Sequence, residues 1–314
     1  MGWEQRRGSL MLLLAAMIWG TTFVAQSLGL KHIQPFTFQA VRSLLGAAAL
    51  LPVILISQAA ARKKEGFIQP TAAQRRVLLT GGVLCGLVLF VATNLQQFGL
   101  TETSAGKAGF LTALYILIVP LYGLLLGHRV RRAIWLSVLA ALIGLYLLTV
   151  REGFTISTGD ILLILCAFAF AGQILLVDYY GVRAHGVKLC ALQFLVSGVL
   201  SGVMMFIFEQ PSTGRVLLAW GPLLYAGVLS SGVAYTLQIF AQRTTPPAVA
   251  SLLMSLEAVF AVLAGMVVLG ETLTLRELLG SVLMFAAILF AQRAEPPRPV
   301  EGARPVLPGP LLRK

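Results

Sequence analysis

The chain has 314 residues, of which 58% are hydrophobic and only 11% charged, and its mean hydropathy is +0.87. A soluble globule cannot keep that much apolar surface off water, so the composition excludes one and places the chain in lipid. The formal net charge of +12 would suggest a nucleic-acid partner in a soluble protein. Here it is read by its distribution, and no nucleic-acid partner is expected.

A helix that crosses a membrane needs about 20 apolar residues, at about 1.5 Å rise, to cover a hydrocarbon core of about 30 Å. Ten such runs follow one another: 9–28, 38–57, 77–99, 106–126, 133–150, 159–178, 188–208, 217–241, 247–269 and 275–293. None shows the period-2 alternation of a barrel strand, so the prediction is all-α, because lipid leaves every backbone amide to find its partner within its own helix. The first run follows Arg6-Arg7 as a secretory signal would. It is too long for one, lacks a small-residue cleavage pattern and recurs as span six. Cys85, Cys166 and Cys190 all fall within spans and offer neither a disulfide framework nor metal-ligand spacing. Loops are short, and after Arg293 the Pro- and Arg-rich stretch 294–314 reads as a disordered cytoplasmic tail.

Lys and Arg alternate in density from loop to loop. The termini and the even-numbered loops hold 18, including Arg62-Lys63-Lys64 and Arg129, Arg131 and Arg132, whereas the five loops of the other side hold Lys31, Lys107, Arg151, Arg215 and Arg276. The positive-inside rule then puts both termini in the cytoplasm, with the basic clusters against anionic headgroups.

Residues 79–148 and 224–290 are two copies of one pattern. Gln96-Gln97-Phe98, Thr101-Glu102-Thr103 and the run through Gly109 to Leu114 are answered by Gln238-Ile239-Phe240, Thr244-Thr245-Pro246 and the run from Ser251 to Leu256. Ahead of these, 16–20 and 38–42 match 167–171 and 189–193 at one constant offset. The predicted fold is therefore ten transmembrane helices as two five-helix repeats, 1–151 and 152–293. Five is odd, so the second repeat enters from the opposite side, and the two are inverted around an interface near the midplane. Matched small residues, Gly82/Gly86 with Gly227/Ser231, together with Gly123/Gly127 and Gly198/Gly202, are read as close helix contacts.

Trp19-Gly20 with Phe23, Phe38 with Arg42, and Leu256-Glu257 through Leu269-Gly270-Glu271 to Gly280 carry a resemblance to the EamA family of the drug/metabolite transporter superfamily. The resemblance covers residues 9–293. It implies ten helices in two inverted halves around a central cavity, in a family whose members export amino acids and other metabolites. The chain departs from the family pattern at Ala258, Glu277 and His128, which weakens any transfer of substrate identity.

Glu257 stands near the centre of span nine, where an ionised carboxylate costs at least roughly 2.5–3.5 kcal/mol unless it faces a partner or water. It must point inward, as a proton- or cation-coupling residue, an amine-binding group or a structural hydrogen-bond partner. Its counterpart in the first repeat, Tyr115, offers only a hydroxyl. Arg42, four residues into span two, is read first as a structural side chain that snorkels to the external interface and second as a ligand for a substrate carboxylate. Gln26, Gln39, Asn94 and Gln97 fall in outward halves of spans, and Gln173, Gln238 and Gln242 in inward halves, as two vestibules meeting at a central site would require. Of these, Gln39, Asn94, Gln97, Gln173 and Gln238 join Glu257 and Arg42 as candidate substrate-binding or coupling residues, with Trp19, Tyr115 and Tyr235 as an aromatic wall.

His32, His128 and His185 lie in loops without matching carboxylates, and no nucleotide-binding, zinc-protease or nucleophile motif is present. No cofactor, metal or catalytic residue is therefore expected. The sequence reading is a bacterial inner-membrane, multi-pass secondary transporter that moves a small organic solute by alternating access, with an amino acid or related metabolite as substrate and export as the favoured direction by resemblance. The alternatives are a carrier for larger polar metabolites such as nucleotide sugars, a membrane-embedded enzyme and a channel. Expected partners are the solute and the lipid bilayer, and the oligomeric state is open between monomer and homodimer.

Overall fold

The computed structural model describes residues 3–65, 70–127, 129–149, 157–269 and 274–294, and these are helical, without strand. The elements are α1 Trp3–Gly29, α2 Pro35–Glu65, α3 Ala72–Gly99, α4 Ala105–Ala113, α5 Tyr115–Leu125, α6 Arg132–Thr149, α7 Thr158–Gly181 and α8 Gly186–Phe208. They continue with α9 Thr213–Leu218, α10 Trp220–Leu224, a π-helix π1 Tyr225–Ala234, α11 Tyr235–Ala241, α12 Pro247–Met254, α13 Glu257–Leu269 and α14 Leu275–Ala294. Among the described residues 9 helical runs are long and apolar enough to cross a membrane, and the shorter Arg132–Leu148 supplies the tenth expected span.

Which helices touch is a symmetric pattern. The helix α2 packs on α8, α6 on α14, and α3 on both α7 and α8, while α1 packs on α10, π1, α11, α12 and α13. Exchanging each span for the one five places along turns α3–α7 into π1 and α11 on α1, and α3–α8 into π1 on α2. The pairs α2–α8 and α6–α14 map onto themselves. Individual glycines repeat the match: a Cβ at Gly86 would stand 2.6 Å from Val196 and 2.9 Å from the Gln193 carbonyl, and one at Gly227 would stand 2.7 Å from Leu45 and 3.1 Å from the Arg42 carbonyl. Only residues without a Cβ allow helices this close.

The second half departs from the first by one residue. Gly86 and Gly227 are counterparts by their contacts, and so are Gly99 and Ala241, which face Gly159 and Gly8. The stretch from Gly227 to Ala241 is one residue longer than that from Gly86 to Gly99, and most of π1 falls within it. A wide turn absorbs an extra residue while keeping the helix on both sides in register. This corrects the sequence match of Gly82/Gly86 with Gly227/Ser231, which had slipped by four residues, about one helical turn, since Gly86 and not Gly82 is the counterpart of Gly227.

Two of the other spans are broken, which hydropathy did not foretell. Span four breaks at Leu114 and span nine at Ser255-Leu256, with the amides of Leu114 and Leu256 each turned back three residues, to Leu111 and Leu253, at 3.3 Å. Of the remaining small-residue pairs, a Cβ at Gly198 would stand 2.9 Å from Leu44, but one at Gly202 or Gly127 would meet nothing within 4 Å. Gly127 instead takes φ 81° just beyond α5, where the left-handed turn that ends a helix favours glycine. His128, Arg151, the Gly270-Glu271 motif and the predicted tail from 295 on lie outside the described residues, while Ala294, counted with that tail, closes α14.

Candidate functional site

The breaks and the wide turn border a cavity between the halves, about 460 Å³ of space not filled by protein with the solvent at its open side included. Its lining repeats with the fold. Trp19 and Phe170, Thr22 and Gln173, and Phe23 and Ile174 are counterparts on α1 and α7, and all line it. So do the counterparts Gln96 and Gln238, Thr112 and Met254, and Tyr115 and Glu257. Four other lining residues, Gln26, Arg42, Ser230 and Tyr235, have no lining counterpart.

Tyr115 and Glu257 are the first residues of α5 and α13, directly after the two breaks. The Tyr115 hydroxyl donates to Glu257 Oε1 at 2.9 Å, and Glu257 is 5% exposed. Glu257 points inward as its placement in span nine required, and the repeat gives it a neutral donor in place of a second carboxylate.

Arg42 is 3% exposed and does not snorkel. The expectation assumed that a helix-end arginine is free to reach the interface. Here the close approach of α2 to π1 holds it inward: Nη1 donates to Gln26 Oε1 at 3.0 Å, Nη2 to Ser230 Oγ at 3.1 Å and Nε to Ser231 Oγ at 3.4 Å. Ser231 Oγ donates in turn to the Ala226 carbonyl five residues back at 2.9 Å, a bond that suits the wide π turn.

Tyr235 ties the aromatic wall together, edge-on to Trp19 at 4.8 Å and to Phe194 at 4.9 Å between ring centroids. Gln238 Nε2 donates to Gln173 Oε1 at 3.3 Å, which leaves Gln173 Nε2, Gln238 Oε1 and the indole Nε1 of Trp19 buried without a protein partner. Buried polar atoms are rarely left so, and these three belong to residues that line the cavity.

Seven of the ten candidate residues, Glu257, Arg42, Trp19, Tyr115, Gln173, Tyr235 and Gln238, therefore share one cavity. Gln39, Asn94 and Gln97 do not line it. Gln39 Nε2 donates to Gln97 Oε1 at 3.1 Å and to the Thr93 carbonyl at 2.9 Å, and Asn94 Nδ2 donates to Ser201 Oγ at 2.9 Å. These bonds clasp α3 to α2 and α8. Thr22 and Gln96 were missed as lining residues, yet the repeat offset could have found them from the candidates Gln173 and Gln238; Thr112, the counterpart of Met254, carried no such signal. Ser230 carried no such signal, because it sits at the insertion. Among the described residues no group of three or more His, Cys, Asp and Glu converges as a metal site.

The model of the EamA-like transporter family matches the chain twice, over residues 6–150 and 157–292. An uncharacterized transporter of Archaeoglobus fulgidus is 30% identical over 89% of this chain and 83% of its own length. The uncharacterized transporter YwfM of Bacillus subtilis is 29% identical over 91% of this chain and 94% of its own. The uncharacterized inner membrane transporter YedA of Escherichia coli is 26% identical over 87% of each. A solved crystal structure superposes with a TM-score of 0.71 over 92% of this chain and 99% of the other at 20% identity, a likeness of fold alone.

Proposed function

The chain belongs to the EamA-like transporter family and is a multi-pass membrane protein, and on that premise we propose that it is a secondary transporter working by alternating access. Its substrate in this reading is a small organic solute, an amino acid or related metabolite, and the favoured direction is export from the cytoplasm across the inner membrane. The observation that carries the reading is the lining. Counterpart residues of both halves meet around one central cavity, so rocking of the halves would expose the same groups to either side.

A carrier for nucleotide sugars is the weaker reading, since a phosphorylated solute calls for several cations and Arg42 is the one Lys or Arg of the lining. An embedded enzyme would need a catalytic pair, and Glu257 meets only a tyrosine hydroxyl. A channel is less well supported than a carrier, because the lining comes in pairs from the two halves of one chain. The test is a proteoliposome screen of amino acids, purines and cationic drugs, with and without a pH gradient. Saturable, counterflow-competent movement of an amino acid supports the proposal, and no movement of any solute sinks it.

A further inference from the structure

Arg42 is a buried charge with no carboxylate in ion-pair reach among the described residues. The pair of Lys107 with Asp160, at 2.6 Å, lies outside the cavity. Glu257, the acid of the same cavity, is engaged by Tyr115 and lies beyond ion-pair distance of Arg42. A guanidinium taken out of water carries a penalty of several kcal/mol per ion unless an anion offsets it. The neutral acceptors Gln26, Ser230 and Ser231 hold the group in place without cancelling its charge. They account for Nε and one N–H on each of Nη1 and Nη2, so each terminal nitrogen keeps a second N–H for an acceptor. A carboxylate is the acceptor that a guanidinium pairs with through two nitrogens.

The guanidinium belongs to one half only. Arg42 corresponds to Gln193, which does not line the cavity, and Ser230 stands in the π turn created by the one-residue insertion. Of the asymmetric lining, Gln26, Arg42 and Ser230 are one bonded patch, and Tyr235 lines the same cavity.

We infer that this patch is the subsite for the carboxylate of the transported solute, with Arg42 as its ligand and the π1 hydroxyls as the groups that orient it. The inference rests on the transport reading for its solute, but the anion site itself can be tested apart from transport. A phosphate is the poorer fit, since a dianion would meet a single cation.

The experiment uses the full chain in nanodiscs and paired probes that differ only at the carboxylate: the common L-amino acids against their carboxamides, and isobutyrate against isobutyramide. Melting temperature and tryptophan fluorescence report binding. The expected result is at least one pair in which the carboxylate binds roughly tenfold more tightly, as a charge-assisted bond implies. That preference should vanish in Arg42→Gln and weaken in Ser230→Ala. If Arg42→Gln does not fold, the wild type and Ser230→Ala still decide the matter. Equal binding of every carboxylate and amide, or a preference untouched by Ser230→Ala and by a folded Arg42→Gln, overturns the subsite. Solute flux in liposomes separates the two readings: a carboxylate preference that needs Arg42 without flux of any probe keeps the subsite and removes the transporter, whereas flux that treats acid and amide alike does the reverse.

Discussion

Tyr115 and Glu257 hold the same place in the two halves of the molecule, each first after a helix break, and they meet across the cavity at 2.9 Å. A structure built by duplication brings counterpart residues together near its two-fold axis. When one partner is a carboxyl and the other a phenol, the pair has a single acidic proton site. Movement of the halves that separates the pair would strip the carboxylate of its donor, which couples protonation to conformation.

From this pair follows a prediction for Glu257→Gln. Gln keeps a carbonyl to accept from Tyr115 but cannot titrate, so the variant should fold and bind solute while its flux no longer responds to an imposed pH gradient. Proteoliposome flux at several gradients, with binding measured in parallel, checks it. A folded Gln variant with an unchanged gradient response would leave Glu257 as a binding or packing residue only.

The break in span nine is also held from outside. A Cβ added at Gly20 would come within 2.5 Å of the Glu257 carbonyl and 2.8 Å of the Ala261 amide nitrogen, both backbone atoms that cannot swing aside. Gly20→Ala should therefore cost about 1–3 kcal/mol, the usual range for overpacking, and depress flux. Gly202→Ala is the control. It has open space around it and should be neutral or stabilising by up to about 1 kcal/mol, since Ala is the better helix former. Equal melting temperatures for the two variants would contradict the contact.

The spans and the duplication were legible in the sequence because both are written in hydropathy over long windows. Seven of the candidate residues gather around one cavity because polar side chains deep in apolar runs have few places to go. Gln39, Asn94 and Gln97 lie away from it for the same reason: a neutral amide is satisfied as well by a neighbouring helix as by a solute, and depth cannot tell which. The breaks at Leu114 and Ser255-Leu256 leave no hydropathy signal, since the interrupted residues are apolar or small. The π turn was hidden because a single inserted residue barely disturbs a match between two apolar helices.

Orientation rests on the Lys and Arg asymmetry alone, and thiol labelling can read it. Cys85, Cys166 and Cys190 are buried, so the unmodified chain should react little. Arg183→Cys, between α7 and α8, should be shielded from an impermeant reagent added outside intact cells, and Thr101→Cys, just after α3, should be labelled. Both positions are exposed. The reverse pattern would place the termini outside.

Outside the cavity, the half-buried pair of Lys107 and Asp160 joins the start of α4 to the start of α7. Asp160 is 1% exposed and Lys107 22%, and the same carboxylate oxygen accepts from the Ser157 amide at 2.8 Å. Lys107→Met should lower stability by about 1–2 kcal/mol, because it takes the charge partner from a carboxylate that keeps its backbone donor. Adding Asp160→Asn to that variant should recover part of the loss, since the amide oxygen still accepts from Ser157. A double-mutant cycle in melting temperature gives the coupling, and additivity of the two changes would show that the pair carries none.

The insertion in span eight makes the most demanding prediction. Deleting a residue from a regular helix rotates everything beyond it by about 100°. Removing Val88 from α3 should therefore pull Asn94, Gln97 and Gly99 away from Ser201, Gln39 and Leu163, which they now meet, and abolish folding. Removing Gly232 from π1 should behave differently. It has only loose neighbours, the nearest 3.7 Å from where a Cβ would stand, and its loss lets the wide turn relax to the regular helix that α3 already has. Gly227 would stay against the Arg42 carbonyl and Ala241 against Gly8. The expected outcome is a folded protein of near-normal melting temperature in which the Ser230 and Ser231 hydroxyls have moved relative to Arg42, so that any carboxylate preference falls while aromatic contacts persist. Expression, melting temperature and the acid-to-amide binding ratio measure all three. If the Gly232 and Val88 deletions prove equally destabilised, the π turn is not an absorbed insertion, and the one-residue difference between the halves needs another location.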